Sequence, residues 1–295
     1  MSSNRNSQLI GRLTLDPIAL QKDLETVNSF PVIQEEYSEF GTGTWLNHSL
    51  WNKDGKYSNT LYSDYENTAQ ITELGQSLPY LNHFITQYFH TQPLRMVRLR
   101  NLIDGVVFPH KDFVELTRHK LQYIRVFIAL ETNFDGFHSD EHNVFRMRKG
   151  EVWVLDASIV HAAANFSTKS RKCLCLDFQY DEPTHAAAIF KNAQDYNPLL
   201  EPSIMHRTPL NESLDYFDEY LDEMANALRI HGNLSAVLRD LTCLHFHYNI
   251  PVTQPLEWLI LIAERSGNAE KITEAQDYIQ FLAYNRQLQQ RFIMA

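Results

Sequence analysis

The sequence predicts an α+β fold whose core is mainly β, with helices ahead of it and a helical subdomain behind it. Between about Leu94 and Tyr180 the chain breaks into six short runs rich in β-branched and aromatic residues: "RMVRLRN", "GVVFPHKDF", "YIRVFIAL", "NVFRMRKG", "EVWVLDAS" and "KCLCLDFQY". Polar punctuation separates them, a texture that suits an antiparallel double sheet or barrel. After Pro202 the apolar residues recur instead at three- and four-residue steps, as on one face of a helix. At 295 residues, 44% hydrophobic and 12% aromatic, the chain can bury a large core, as one domain or one domain with an appendage.

The opening "GRLTLDPIALQKDLETV" reads as a short strand and then a helix, with Asp16 as N-cap and Pro17 at the first helical position. Residues 35–65 read as short strands, with "WNKDG" (51–55) as a chain-reversing turn. "SLPYLNHFITQYFH" returns to a helical pattern, Pro79 near its start and Leu81, Phe84, Ile85 and Tyr88 on one stripe. Several of the six core runs are apolar on both faces, as expected where helices cover the outside of a sheet. In the last third, Leu214, Phe217, Leu221, Met224 and Leu228 mark a helix that "HGN" (231–233) stops. Further helices are expected at about 234–248, 255–266 and 269–290, with Thr253, Pro255 and Gly267 as punctuation. The chain divides on this pattern into residues 1–200, the β core with its N-terminal helices, and 201–295, a helical C-terminal subdomain.

Lys plus Arg is 26 and Asp plus Glu is 36, a net charge of −10 with no block of basic residues. That excludes nucleic acid and anionic membranes as general partners. No apolar run approaches the roughly 18 residues of a spanning helix, and the polar start "MSSNRNSQ" has no signal-peptide core. Cys173, Cys175 and Cys243 suggest no disulfide framework, so a reducing cytoplasm is the expected compartment. "PLEWLILIAE" carries more apolar residues than one helix face needs. Packing within the chain accounts for that most simply, and a homodimer contact is the other use.

Chemistry enters at "VVFPHKDF". Alternation along a strand puts His110 and Asp112 on one face. Alone, they fit a hydrogen-bonded surface pair as well as two metal ligands. His161 follows His110 by 51 residues, a gap that about four strands with short turns fill. That is the return length of a jelly roll (a double-stranded β-helix, cupin-like). Two histidines and a carboxylate on one face of an iron leave three positions open for substrate and oxygen. Arg171, ten residues past His161 where the next strand opens, could hold a dicarboxylate by a bidentate pair. A rival set, His138, Asp140 and His142 in "FHSDEHN", is dense in polar residues and reads as a loop, where rigid ligand placement is harder. His245 and His247 read as core or surface residues, and Asp156 as either a ligand-orienting group or a turn cap.

The pattern His110-Lys111-Asp112, His161, Arg171 resembles that of the iron(II)- and 2-oxoglutarate-dependent dioxygenases. It is most similar to the bacterial enzymes that hydroxylate free L-proline, and nearer the 3-hydroxylases than the 4-hydroxylases. The stretches that carry the likeness are "EEYSEFGTGTW", "SLPYLN", "RLRNLIDGVVFPHKDFVEL", "YIRVFIALETN", "MRKGEVWVLDASIVHAAANFS" and "SRKCLCLDF", so it runs along nearly the whole chain. The resemblance implies iron(II) on His110, Asp112 and His161, 2-oxoglutarate anchored by Arg171, and O2 as oxidant. It also implies substrate contacts from Arg98, Arg100 and Arg125, with Trp45 walling one side of a saturated ring. The implied partner is a small amino acid, and the implied reaction takes L-proline to cis-3-hydroxy-L-proline with release of succinate and CO2. Hydroxylation of L-pipecolate, of proline at C4, or of a peptidyl or carrier-bound residue are the alternatives. A non-enzymatic jelly-roll binding protein fits poorly, because binding alone has no use for open iron positions.

Overall fold

In the computed structural model, which describes residues 6–33, 38–60, 67–112, 122–141, 143–210, 215–288 and 290–294, the chain opens with β1 (Gln8–Arg12) and α1 (Pro17–Ser29). Asp16 accepts from the backbone N–H groups of Ile18 and Ala19, so α1 starts where its cap predicts. Of residues 35–65, expected to hold several short strands, the described ones carry one long strand, β2 (Gly41–Asn52), while 35–37 and 61–65 lie outside the described residues. After it come β3 (Gln70–Ile71), α2 (Glu73–Gln76) and α3 (Pro79–Tyr88), which buries Leu81, Phe84 and Ile85.

The core strands are β4 (Leu94–His110), β5 (Tyr123–Ala129), β6 (Gly136–Ser139), β7 (Val144–Arg146), β8 (Glu151–Leu155), β9 (His161–Asn165) and β10 (Lys172–Gln179), with β11 (Ser203–Ile204) at the edge. Three of them depart from expectation. The first two core runs are a single 17-residue strand, β4. "LIDGV" looks like a break, but Asp104 (φ 44°) and Gly105 lie against Gly43 (φ 85°) and bend the strand at a bulge instead of reversing it. A Cβ on Gly43 would strike the Asp104 carbonyl, so only glycine lets the two backbones approach there. "FHSDEHN" (137–143) is expected as loop, but its first three residues belong to β6. His161 opens β9 and does not close β8, because Asp156 caps an intervening turn by accepting from the Ser158 N–H and hydroxyl.

All the ladders are antiparallel, in the order β1-β8-β5-β10-β4-β9-β6-β7-β11, with β2 pairing β4 and β3. The bend in β4 sends residues 94–101 along β10 and residues 105–110 along β9. The sheet therefore curls into a half-barrel of the jelly-roll, cupin-like kind. Its outer faces are covered, as apolar strands on both sides require. Ile124, Val126, Leu174 and Leu176 pack with α1 and α3, while Val106, Phe108, Ala162 and Ala164 pack with the C-terminal helices. Inside the curl, a flat stack of Phe145 on Trp153 (centroids 4.1 Å) joins Phe127, Met147 and Leu155 as a plug. A cavity lies against this plug.

The C-terminal region holds α4 (Asp215–His231), α5 (Leu234–His247), α6 (Gln254–Ser266) and α7 (Ala269–Ile279). Gly267 ends α6 in the left-handed conformation that glycine tolerates. The apolar excess of α6 is used inside the chain: Leu256, Trp258, Leu259, Ile262 and Ala263 are buried, and α6 packs on α4, α5 and α7. The last helix, expected to reach residue 290, gives way after Ile279 to a π-helical turn over Gln280–Tyr284. His245 is buried and His247 exposed. Among the described residues no helix is long and apolar enough to cross a membrane.

Candidate active site

The bend in β4 brings its last residue, His110, directly opposite His161 at the start of β9, with ring centroids 4.3 Å apart. Each ring turns Nδ1 to a backbone carbonyl, His110 to Phe108 (2.7 Å) and His161 to Ile159 (3.1 Å). A carbonyl oxygen only accepts, so both Nδ1 atoms carry the proton and each Nε2 keeps a free lone pair. Those Nε2 atoms face Asp112, at 3.5 Å from Oδ1 and 3.9 Å from Oδ2. Among the described residues this is the one group of three such side chains whose ligand atoms all lie within 4.8 Å of one another. Burial opposes ionisation of Asp112, but the Arg125 guanidinium that donates to it outweighs that penalty and holds the carboxyl well below its usual range. Burial, reinforced by His110, pushes His161 down to about 3. An ionised Asp112 carboxylate and a neutral His161 imidazole are protonation states a divalent cation requires.

A cavity beside this group is lined by residues from β2, β4, β5, β6, β8, β9 and β10, a concave site with a few polar groups converging on an apolar wall. Trp45, Arg100, Arg125 and Arg171 all reach it. Arg98 does not, because its Nη2 donates to Asp177 Oδ2 at 3.1 Å inside the sheet. Arg125 is directly opposite Asp177 in the β5–β10 ladder and donates to it from Nε at 2.6 Å, while its Nη1 donates to Asp112. Asp177 thus answers two of the inward arginines, and they in turn hold it ionised against the penalty of burial. Arg100 and Arg171 differ. Among the described residues no carboxylate meets either guanidinium; Arg100 is stacked between Trp45 (5.4 Å) and Phe127 (5.6 Å).

A family model described as "L-proline 3-hydroxylase, C-terminal" matches residues 186–290, and one described as "Aspartyl/Asparaginyl beta-hydroxylase" matches residues 18–180. L-proline cis-3-hydroxylase 1 of Streptomyces sp is 36% identical over 292 residues, covering 97% of this chain and 98% of that protein. This chain belongs to the L-proline 3-hydroxylase family. L-proline cis-3-hydroxylase 2 of Streptomyces sp is 35% identical over 289 residues (97% and 98% of the two chains), and L-proline cis-4-hydroxylase of Rhizobium meliloti (strain 1021) is 26% identical over 285 (96% and 97%). As a member of the family, the protein is an iron(II)- and 2-oxoglutarate-dependent oxygenase, with O2 as co-reactant. The donor set suits iron(II), with imidazole nitrogen and carboxylate oxygen and no thiolate. Cys173, also on the cavity wall, is pushed up to about 12 by burial and stays a thiol.

The C-terminal region of this chain fastens the segment that carries His110 and Asp112. Lys111 N–H donates to the Leu282 carbonyl in the π-helical turn (3.0 Å), and Arg286 donates back to the Lys111 carbonyl (2.6 Å). Arg286 also lies over Phe40 and comes within 3.9 Å of Asp112. The sequence alone does not single out Asp177, Gly136 or Arg286, and it places His138 in a loop. Asp177 ends the inward row Cys173-Cys175-Asp177, a charge among apolar neighbours that signals an opposite charge on the next strand. Gly136 and His138 share the inward face of β6, where "GFHS" alternates although its polar neighbours suggest loop. Arg286 has no local signal. His142 of the rival cluster lies outside the described residues, and Asp140 is turned elsewhere, accepting from Ser7 and Asn143 N–H groups.

Proposed function

We propose that this protein hydroxylates free L-proline to cis-3-hydroxy-L-proline, with iron(II) on His110, Asp112 and His161 and the far carboxylate of 2-oxoglutarate on Arg171. The observation that carries this is the pair of cavity guanidiniums, Arg171 and Arg100, that meet no carboxylate among the described residues. Two small acids would supply one carboxylate each. Bound iron(II) and 2-oxoglutarate would supply the oxidising chemistry, consuming O2 and releasing succinate and CO2. The chain's own work is then binding, orientation and dryness.

Arg171 would pair bidentately with 2-oxoglutarate. Arg100, which lies over the rings of Trp45 and Phe127, would take the amino-acid carboxylate, with Trp45 as part of the wall for the pyrrolidine ring. Leu102, Val107, Phe127 and Leu155 on the lining would keep water from the reacting carbon. Arg125, held by Asp177, would keep Asp112 oriented toward the two imidazoles. The choice of C3 over C4 rests on the relatives, since those at 36% and 35% identity are cis-3-hydroxylases and the cis-4-hydroxylase stands at 26%. The deciding experiment loads the protein anaerobically with iron(II) and 2-oxoglutarate, admits O2, and measures succinate with proline, pipecolate, other amino acids, a prolyl peptide or nothing. Proline-stimulated succinate with a C3-hydroxylated product by NMR is the expected result. Turnover that no free amino acid stimulates would end this proposal, and a C4 product would correct its regiochemistry.

A further inference from the structure

His138 on β6 is a buried side chain that the roles above leave idle. It is 4% exposed, its ring stacks on His161 (centroids 5.7 Å, interplanar 21°), and it tilts against Phe145 (5.3 Å). The ring lines the cavity, yet its Nε2 meets no hydrogen-bond partner among the described residues. A buried polar nitrogen forfeits its hydration and is normally matched, so this atom asks for a ligand.

Its neighbour says which one. Two residues earlier on the same inward face is Gly136, and a Cβ there would come within 2.8 Å of Arg171 Cδ and 3.3 Å of Cγ and Nε. The arginine stem therefore lies flat across Gly136, beside His138, and His138 in turn touches His161. Arg171, the His138 ring and the three candidate ligand side chains line one cavity, so a molecule held between Arg171 and those side chains shares it with His138. A carboxylate bound bidentately by a guanidinium still has lone pairs to spare for a second donor.

We propose that His138 is a second anchor for 2-oxoglutarate, donating from Nε2–H to the same far carboxylate that Arg171 binds. This rests on the assignment of 2-oxoglutarate to Arg171. The test measures binding without turnover: calorimetric titration of the manganese(II)-loaded protein with 2-oxoglutarate and with 2-oxovalerate, which lacks the far carboxylate. His138→Leu should weaken 2-oxoglutarate roughly 10-fold or more, as expected for a lost hydrogen bond to a charged group. It should leave 2-oxovalerate and manganese affinity unchanged, and His138→Gln, which restores an N–H donor, should recover most of the loss. If His138→Leu does not fold, His138→Phe replaces it in the same comparison. Wild-type-like 2-oxoglutarate binding in the apolar variant, or an equal loss with 2-oxovalerate, overturns the role of His138 alone. No binding of 2-oxoglutarate by the unmutated protein overturns the cosubstrate assignment as well.

Discussion

Gly136→Ala separates what the fold needs from what the site needs. The new methyl would sit 2.8 Å from Arg171 Cδ and 3.3 Å from Cγ and Nε, whereas carbon atoms settle at about 3.5–4.0 Å. Arg171 must therefore retreat by roughly 0.7–1.2 Å to reach that contact range. The stem is flexible and β6 has ordinary backbone geometry at this point, so the sheet can absorb the change. Glycine inside a strand is itself worse than alanine by about 0.5–1 kcal/mol, and stability should hold or rise. The guanidinium, however, moves off the position a carboxylate needs, and a misplacement of about 1 Å at a positioning contact costs up to about 100-fold. We expect an unchanged or higher Tm by scanning calorimetry, a KM for 2-oxoglutarate raised about 10- to 100-fold, and kcat at saturation much less affected. A variant with the ordinary 2-oxoglutarate requirement would refute the contact between Gly136 and Arg171 as the determinant. So would one whose loss of activity follows a loss of fold.

Arg100→Ala should raise the KM for proline by about 10-fold or more, as for a lost charged hydrogen bond, and leave the KM for 2-oxoglutarate alone; steady-state kinetics in both substrates checks this. Asp177→Asn removes the carboxylate that the buried guanidiniums of Arg98 and Arg125 share and should destabilise the fold by about 3–5 kcal/mol in urea unfolding; a change near zero would show that their other contacts suffice. Arg286→Met keeps an apolar stem over Phe40 but loses the bond to Lys111. It should weaken manganese(II) or iron(II) binding about 10-fold or more, on the scale of other ligand-supporting groups, as read by metal titration. His245 is pushed down to about 4, first by burial and then by Arg207. Its folded pKa lies below the unfolded value of about 6.5, so its contribution is complete above that pH and is lost as pH falls toward 4. Unfolding free energies from urea titrations between pH 7 and 4 should fall by up to about 1.4 kcal/mol per pH unit from this group, with a shallower slope in His245→Phe.

Local chemistry wrote much of this fold openly. Asp16 with Pro17 starts α1, Gly267 stops α6, and the alternation of Ile124, Val126 and Ile128 against Arg125 and Phe127 places a covered face and a cavity face on one strand. The grouping of His110, Asp112 and His161 followed from spacing because antiparallel strands of ordinary length return a chain at predictable intervals. What stayed hidden depends on distant partners. "LIDGV" bends rather than breaks only because Gly43 lies across from it. Three inward arginines look equally available until the register sets Asp177 opposite Arg125 and within reach of Arg98. His138 is masked by the polar residues around it, since local composition outvotes a four-residue alternation.

The bonds between Arg286 and Lys111, 175 positions apart, also set an order of events during synthesis. All strands of the curled sheet from β1 to β10 have been made once Gln179 is joined, and His110, Asp112 and His161 are then all present. The π-helical turn and Arg286 follow only after about a hundred further residues, which take about 5–20 s at ordinary translation rates. During that interval a growing chain holds all three candidate ligand side chains but lacks the clasp on the segment that carries two of them. On the proposed metal assignment, the fastening of that segment is deferred until Arg286 has been joined.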